Sequence, residues 1–278
     1  MLFPANKSVL PGFGLSLGSS LFFICLILLL PLSTLLMQLS QMTLAQYWQV
    51  VTDPQIIAAY KVTLLSAAVA AVFNAIFGVL MAWILTRYRF PGRIFLDGLI
   101  DLPFALPTAV AGLTLAGLFS TSGWVGNWLY TFCNLKISYT WQGIALAMAF
   151  IGLPFVVRTV QLVLEESGLE YEEAAEILGA SPMRRFLRVI LPEIAPALLA
   201  GTVLSFTRSL GEFGAVIFIA GNIAWKSEVV SLMIFIRLQE FDYQAASAIA
   251  SVMLAVSLLL LFAINILQSH FGRRIGGR

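Results

Sequence analysis

Six apolar runs, each long enough to cross a lipid bilayer, constrain this chain more than any other feature. A membrane-spanning helix needs about 20 consecutive, mostly apolar residues. Only helices and closed barrels satisfy every backbone hydrogen bond inside a bilayer, and these runs are continuous rather than alternating, which excludes a β-barrel. We therefore predict an all-α integral membrane protein with six transmembrane helices. They are placed at residues 15–39, 60–85, 97–119, 140–160, 194–220 and 243–267.

The lysines and arginines beside these runs set the predicted direction of each span, because positive residues stay in the cytoplasm. Eleven lie on one side and four on the other, so both termini are predicted to face the cytoplasm. The larger set is Lys7, Arg87, Arg89, Arg93, Arg158, Arg184, Arg185, Arg188, Arg273, Arg274 and Arg278, and the smaller set is Lys61, Lys136, Lys226 and Arg237. The longest cytoplasmic connection is then residues 161–193.

That connection concentrates charge in a chain of which only 11% is charged, and it is predicted to form two short helices joined by a glycine. Gly179 is expected to end the first helix, because the residue after a helix often adopts a positive φ. Ser181 and Pro182 suit the N-cap and first position of the second helix, and Pro192 is expected to end it.

The side chains of these two helices are predicted to present a shaped surface to another protein. The first helix is assigned the acidic residues Glu165, Glu166, Glu170, Glu172, Glu173 and Glu176 and an apolar face of Leu164, Tyr171, Ala174, Ala175 and Leu178. The second carries Arg184, Arg185 and Arg188, which are expected near anionic lipid headgroups. A solvated loop that only connects two spans is the alternative interpretation.

Arg208 and Glu212 are the charged pair inside an apolar run, where charges are costly and usually mark a pathway or an ion pair. Their spacing of four places them on one helix face. One interpretation is a self-neutralising ion pair. The other is that Arg208 faces the path of a dianion and Glu212 holds it in place, while Gly211 and Gly214 allow close backbone approach.

Two prolines interrupt the third run, within "DLPFALP". Pro103 and Pro107 remove two backbone donors, which a membrane helix tolerates where protein or a water-filled cavity covers the gap. They predict a kinked helix that either lines the pathway or only packs. Asp97 and Asp101 are expected to be surface residues at its cytoplasmic end. The stretch Val229–Ile236 is apolar but too short to span, and is predicted to be an interfacial or re-entrant helix on the outer face.

Several classes of function lack the residues they need. The chain contains no G-x-x-x-x-G-K-[ST] phosphate loop, so we do not expect it to hydrolyse ATP. A single histidine, His270, and the separated Cys25 and Cys133 cannot form a usual zinc site. The sequence shows no nucleophile–base cluster that would indicate an enzyme. A net charge of +2 without a basic stripe does not indicate nucleic-acid binding.

The segment "EAAEILGASPMRRFLRVILP" resembles the EAA loop of ABC importer permeases. The matching residues are Glu173, Ala174, Ala175, Gly179, Leu191 and Pro192, and Val189 departs from the usual isoleucine. The resemblance implies the type I ABC importer permease fold. It also implies that this loop forms a coupling helix that docks into a cleft of a cytoplasmic ATPase subunit.

Three longer segments are similar to permeases of sulfate/thiosulfate importers of the CysT type: "VTLLSAAVAAVFNAIFGVLMAWILTRYRFPGR", "DLPFALPTAVAGLTLAGLF" and "SFTRSLGEFGAVIFIAGNIAWKSEV". The resemblance covers about residues 10–275. Because "LGEFGA" is shared with molybdate importer permeases, a molybdate/tungstate permease is an alternative, and a stand-alone secondary anion transporter is a more distant one. An inverted repeat typical of secondary transporters is not found in the sequence.

The resemblance also implies a set of partners and a location. The partners are a second permease subunit of the CysW type, two ABC ATPase subunits that use ATP and Mg, a periplasmic sulfate/thiosulfate-binding protein and membrane lipid. The chain itself is expected to bind no cofactor and to lie in the bacterial cytoplasmic (inner) membrane. Its predicted parts are an N-terminal segment with the first span (1–59), an ABC transmembrane type-1 domain (60–267) and a cytoplasmic tail (268–278).

Overall fold

The computed structural model describes the backbone of residues 13–275 and the side chains of residues 13–262 and 266; this part of the chain is helical and has no strand. The helices are α1 Phe13–Ser40, α2 Leu44–Val51, α3 Pro54–Arg87, α4 Arg93–Ile100, α5 Leu102–Ala105, α6 Thr108–Phe119, α7 Trp124–Cys133, α8 Trp141–Glu166, α9 Glu170–Ile177, α10 Pro182–Leu210, α11 Gly214–Ala220, α12 Val230–Gln239 and α13 Tyr243–Ile275. Lys7 and Arg278 lie outside the described residues, as do the side chains of His270, Arg273 and Arg274.

Five helices of the described chain are long and apolar enough to cross a membrane: α1, α3, α8, α10 and α13. A sixth span results if α6 and α7, which are bent by 42° at a short break, are counted together. The predicted all-α membrane fold is confirmed, and four predicted spans correspond to α1, α3, α8 and α13.

The third and fifth predicted spans, 97–119 and 194–220, are wrong as continuous helices. In the third run the backbone of Leu106 is extended and Pro107 is the N-cap of α6. A residue before proline avoids the helical region, so the chain breaks between α5 and α6 instead of kinking. In the fifth, the long helix begins twelve residues earlier, at Pro182, and ends at Leu210 before the separate α11.

Proline is accommodated within α1 and α10 by the same local device. A short π-helical stretch, Cys25–Leu29 or Phe186–Ile190, ends two residues before Pro31 or Pro192. Proline lacks an N–H and its ring clashes with the carbonyl four residues back, and a π turn shifts the hydrogen-bond register just before it. The expectation that Pro192 ends the second helix of the 161–193 connection is therefore wrong.

The core of the bundle is formed by α3, α8 and α10, which approach closely through small residues. Gly78 and Gly201 both lie against Val156. A Cβ on Gly78 would lie 2.7 Å from Val156 Cγ1, and a Cβ on Gly201 would lie 2.9 Å from Val156 Cα. Buried Asn74 donates to Ser205 Oγ at 2.9 Å. Close approach of small residues replaces the hydrophobic driving force that is missing between helices in lipid.

The short apolar helix predicted at Val229–Ile236 is present as α12, packed against α3 and α13. Its residues Val230, Leu232 and Met233 are buried. The Val230 N–H donates to Thr63 Oγ1 of α3 at 3.0 Å, which satisfies a helix-terminal donor.

Candidate coupling surface and transport pathway

The coupling segment, residues 168–185, contains α9 and the start of α10, and a glycine turn lies on each side of α9. Gly168 has φ +65° and Gly179 has φ +78°. At the end of α9 the Gly179 N–H donates to the Glu176 carbonyl and the Ala180 N–H to the Ala175 carbonyl. These two bonds form a Schellman cap, so the predicted helix stop at Gly179 is confirmed.

The first turn of this segment differs from the prediction. Leu164, Glu165 and Glu166 belong to α8, because the turn at Gly168 separates them from α9. Leu164 is buried in the core next to α3 and α10 and does not share a face with Tyr171.

The tip of the coupling segment carries exposed apolar side chains. Ile177 is 87% and Leu178 86% exposed, and Tyr171 and Met183 are also exposed. Glu173 and Ala174 lie on the same exposed segment, and Ala175 is half-buried. Large apolar side chains grouped in this way usually mark a protein-binding surface.

Ion pairs hold the coupling segment in shape. Arg185 pairs with Glu176, which joins α9 to the start of α10. Arg87, the last residue of α3, contacts Glu172 Oε1 at 2.8 Å and donates to the backbone carbonyls of Leu164 at 2.9 Å and Gly168 at 2.7 Å. Its side chain is only 11% exposed. In the sequence Arg87 contributes only to the count of positive residues, since nothing local connects it to Glu172.

Leu191 and Pro192, the last matching residues of the EAA-like motif, lie apart from the exposed tip. Both lie within α10, directly after its π stretch. Leu191 packs on the buried cluster that contains Ile190 and Ile194. The motif therefore combines an exposed portion, from Glu173 to Gly179, with a portion rooted in the helical core.

Arg208 and Glu212 form the ion pair that their spacing predicts, at 2.6 Å. Glu212 lies just beyond the end of α10, and its side chain is 2% exposed. Its second carboxylate oxygen accepts the Ala215 N–H of α11 at 3.1 Å, so it also caps that helix. The Arg208 side chain is 38% exposed. The pair thus presents a held guanidinium at the surface of the chain.

Pro107 immediately precedes α6, and the start of α6 meets the start of α11 just after Glu212. A Cβ on Gly214 would lie 2.2 Å from Thr108 Oγ1, and one on Gly112 would lie 2.2 Å from the Ala215 carbonyl oxygen. Gly112 therefore lies against backbone and Gly214 against the Thr108 side chain, and neither position leaves room for a Cβ.

Pro103 is buried in α5 and has a different neighbourhood from Pro107. The ring of the next residue, Phe104, packs edge-on against Phe155 of α8. The four candidate pathway residues therefore do not form one cluster: Pro107 adjoins the segment that follows Glu212, and Pro103 belongs with α8.

Asp97 and Asp101 are surface residues, as expected, with side chains 41% and 48% exposed, but both are also paired with an arginine. Arg158 of α8 donates to Asp101 through Nε at 2.9 Å and Nη2 at 2.5 Å, and to Asp97 Oδ1 at 2.6 Å. Gln161 accepts a further bond from Arg158 at 2.7 Å. This clamp ties the broken third run to α8, and no local sequence signal joins residues about 60 positions apart.

A family profile decides the relationship of this chain to known proteins. Residues 74–277 match the profile described as "Binding-protein-dependent transport system inner membrane component". The chain belongs to this family. The family description implies a multi-pass permease of the inner membrane that works with a substrate-binding protein.

Two relatives illustrate how similar other members of this family are. The chain is 73% identical to the sulfate transport system permease protein CysT of Escherichia coli K12, over 98% of both chains. It is 48% identical to the protein of the same description from Synechococcus elongatus, over 91% of both chains.

Solved structures of importer permeases share the fold. A chain of a bacterial alginate ABC transporter, crystallised with an alginate pentasaccharide-bound periplasmic protein, superposes with a TM-score of 0.76 at 21% identity, covering 95% of this chain and 94% of that one. A chain of the inward-facing MetNI methionine ABC transporter gives 0.58 at 17% identity, over 83% and 99%. The fold of an ABC importer permease is thereby confirmed.

Proposed function

We propose that this chain is the permease subunit of an ATP-driven importer that carries sulfate across the cytoplasmic membrane. The observation that carries the proposal is the 73% identity to the Escherichia coli sulfate permease over 98% of the chain. Coverage at that level includes both the coupling segment and the Arg208 segment. Thiosulfate, a dianion of similar tetrahedral shape, is proposed as a second substrate.

The coupling segment supports an attached ATPase. Ile177 and Leu178 are almost fully exposed at the tip of a segment whose turns and ion pairs give it a defined shape. A partner that covers them would remove apolar surface from water, and Glu173 beside them offers a polar contact. We therefore place two ATPase subunits, which use ATP and Mg, on the cytoplasmic face. Residues 161–193 and both termini lie on that side in this proposal.

The Arg208 pair supports an anion pathway at the surface of this chain. Glu212 is buried while the Arg208 side chain is 38% exposed, so the cationic edge is directed away from the core. A guanidinium offers a planar fork of donors that suits an oxyanion. We propose that a second permease of the CysW type covers this face and closes the pathway, and that a periplasmic binding protein delivers the anion.

Gene replacement tests the proposal. An Escherichia coli strain without its own CysT-type permease is expected to regain labelled sulfate uptake when it expresses this chain, with competition by thiosulfate. Deletion of the partner ATPase gene should abolish that uptake. A chain present in the membrane without sulfate uptake would contradict the proposal. Uptake of molybdate instead would support the molybdate alternative, and sulfate uptake without the ATPase would indicate a secondary transporter.

A further inference from the structure

One side chain connects the coupling segment to two core helices. Arg87 ends α3, and its guanidinium contacts the end of α8 at Leu164, the connecting turn at Gly168 and the first turn of α9 at Glu172. These contacts bridge 77, 81 and 85 residues of sequence.

The three acceptors suit an arginine for a physical reason. The Leu164 carbonyl belongs to the last turn of α8, where carbonyl groups lack helical partners and the helix dipole favours a cation. The Gly168 carbonyl lies in the turn, and Glu172 supplies a carboxylate that is 14% exposed. Only a guanidinium has enough donors in a fixed fork to satisfy all three at once.

The other ion pair of the segment has a different effect. Arg185 and Glu176 join two parts of the same segment, and Glu176 is 70% exposed. That pair holds the segment together but does not attach it to α3 or α8. The attachment of α9 to the core through ionised side chains therefore depends on Arg87.

We propose that Arg87 is the positioning residue that couples α9 to the transmembrane core. It makes α9 and the ends of α3 and α8 move as one unit when a partner acts on the coupling segment. The inference rests on the proposed function for the identity of that partner, an ATPase. Arg87 touches neither the anion nor the nucleotide in this role.

Hydrogen–deuterium exchange of the purified full-length chain tests the anchor without any ATPase. In Arg87→Gln, amide exchange over residues 168–178 is expected to rise about tenfold or more, because charge-assisted bonds to three segments are lost. Arg87→Lys should give an intermediate increase, since an ammonium keeps the charge but not the fork. The matched control is Arg89→Gln, because Arg89 is two residues away and exposed. The exchange pattern of the Arg89→Gln variant should equal that of the wild type.

The coupled system tests the functional part. In the complex with its ATPase, Arg87→Gln should continue to hydrolyse ATP but should move about tenfold less sulfate per ATP. If Arg87→Gln does not accumulate, Glu172→Ala replaces it, which removes the carboxylate contact and keeps both carbonyl contacts. It should raise exchange in the first turn of α9 and lower sulfate per ATP by a smaller factor.

Several results would overturn the inference. These are unchanged exchange over 168–178 in the Arg87 variants, an equal change in Arg89→Gln, or raised exchange with unaltered sulfate per ATP. Failure of the wild-type chain to bind an ATPase would instead contradict the proposed function, and the exchange experiment would still decide whether Arg87 anchors α9.

Discussion

Substitution of Gly179 offers a test of the coupling surface in which strain arises from the backbone alone. Its φ is +78°, and a Cβ at this position would meet nothing within 4 Å. The Cβ of a valine would therefore have room at this position. Valine would, however, place a β-branched residue in the left-handed region, which costs about 1–2 kcal/mol for L-residues.

That magnitude sets the expected loss of docking. A penalty of 1–2 kcal/mol lowers the ratio of the capped to the uncapped form of α9 about 5–30-fold, because the two bonds of the Schellman cap need this backbone conformation. Ile177 and Leu178 would then lose their defined position at the tip. The amount of ATPase that co-purifies with Gly179→Val in mild detergent should fall, at most by that factor. Sulfate uptake per membrane-inserted chain should fall with it.

Two controls make the result specific. Gly179→Asn should retain most of the docking, because asparagine tolerates the left-handed region. Gly92 has φ +88° with nothing within 4 Å of its Cβ position, but it lies before α4 and outside the coupling segment. Gly92→Val imposes the same kind of strain and should leave ATPase binding intact. Normal ATPase binding by Gly179→Val, or an equal loss in Gly92→Val, would refute the reasoning.

Three further predictions concern the pathway, the packing and the topology. Arg208→Ala alone leaves buried Glu212 unpaired and should lower membrane abundance. The double variant with Glu212→Ala should recover abundance without recovering sulfate uptake. Near-normal uptake by the double variant would show that the pair is only structural. Gly112→Val should lower the Tm of the purified chain, because its side chain would meet the backbone of α11 at 2.2 Å and overpacking costs about 1–3 kcal/mol. Gly117→Val on the same helix has open space and is the control. A reporter fused after Asn127 should be exported, and a cytoplasmic signal there would contradict the proposed orientation.

Features that depend on local backbone chemistry could be predicted from the sequence. Apolar runs identify the long helices because length and hydropathy alone decide whether a helix suits a bilayer. The turn at Gly179 follows from the conformational freedom of glycine, and the Arg208–Glu212 contact follows from helical spacing. Each of these involves residues that are close in sequence.

Features that depend on distant contacts, or on helix breakers whose effect is compensated, could not be predicted from the sequence. Pro192 signals a helix end, but the π stretch before it lets α10 continue, and no residue type identifies such a stretch. Pro103 and Pro107 signal a kink in the third run, but the extended backbone of Leu106 before Pro107 breaks the run fully. The anchoring contacts of Arg87 and the clamp of Arg158 join positions 57 to 85 residues apart, where composition carries no information about pairing.

The most direct test of the account is transport by the purified system. The chain, a CysW-type permease and the ATPase subunits would be reconstituted into proteoliposomes with ATP and Mg on the side of the coupling segment and sulfate-loaded binding protein on the other. Labelled sulfate is expected to accumulate on the ATP side, and accumulation should stop without ATP or without the binding protein. Accumulation that continues without ATP, or ATP hydrolysis with no sulfate movement in the wild-type system, would contradict the account.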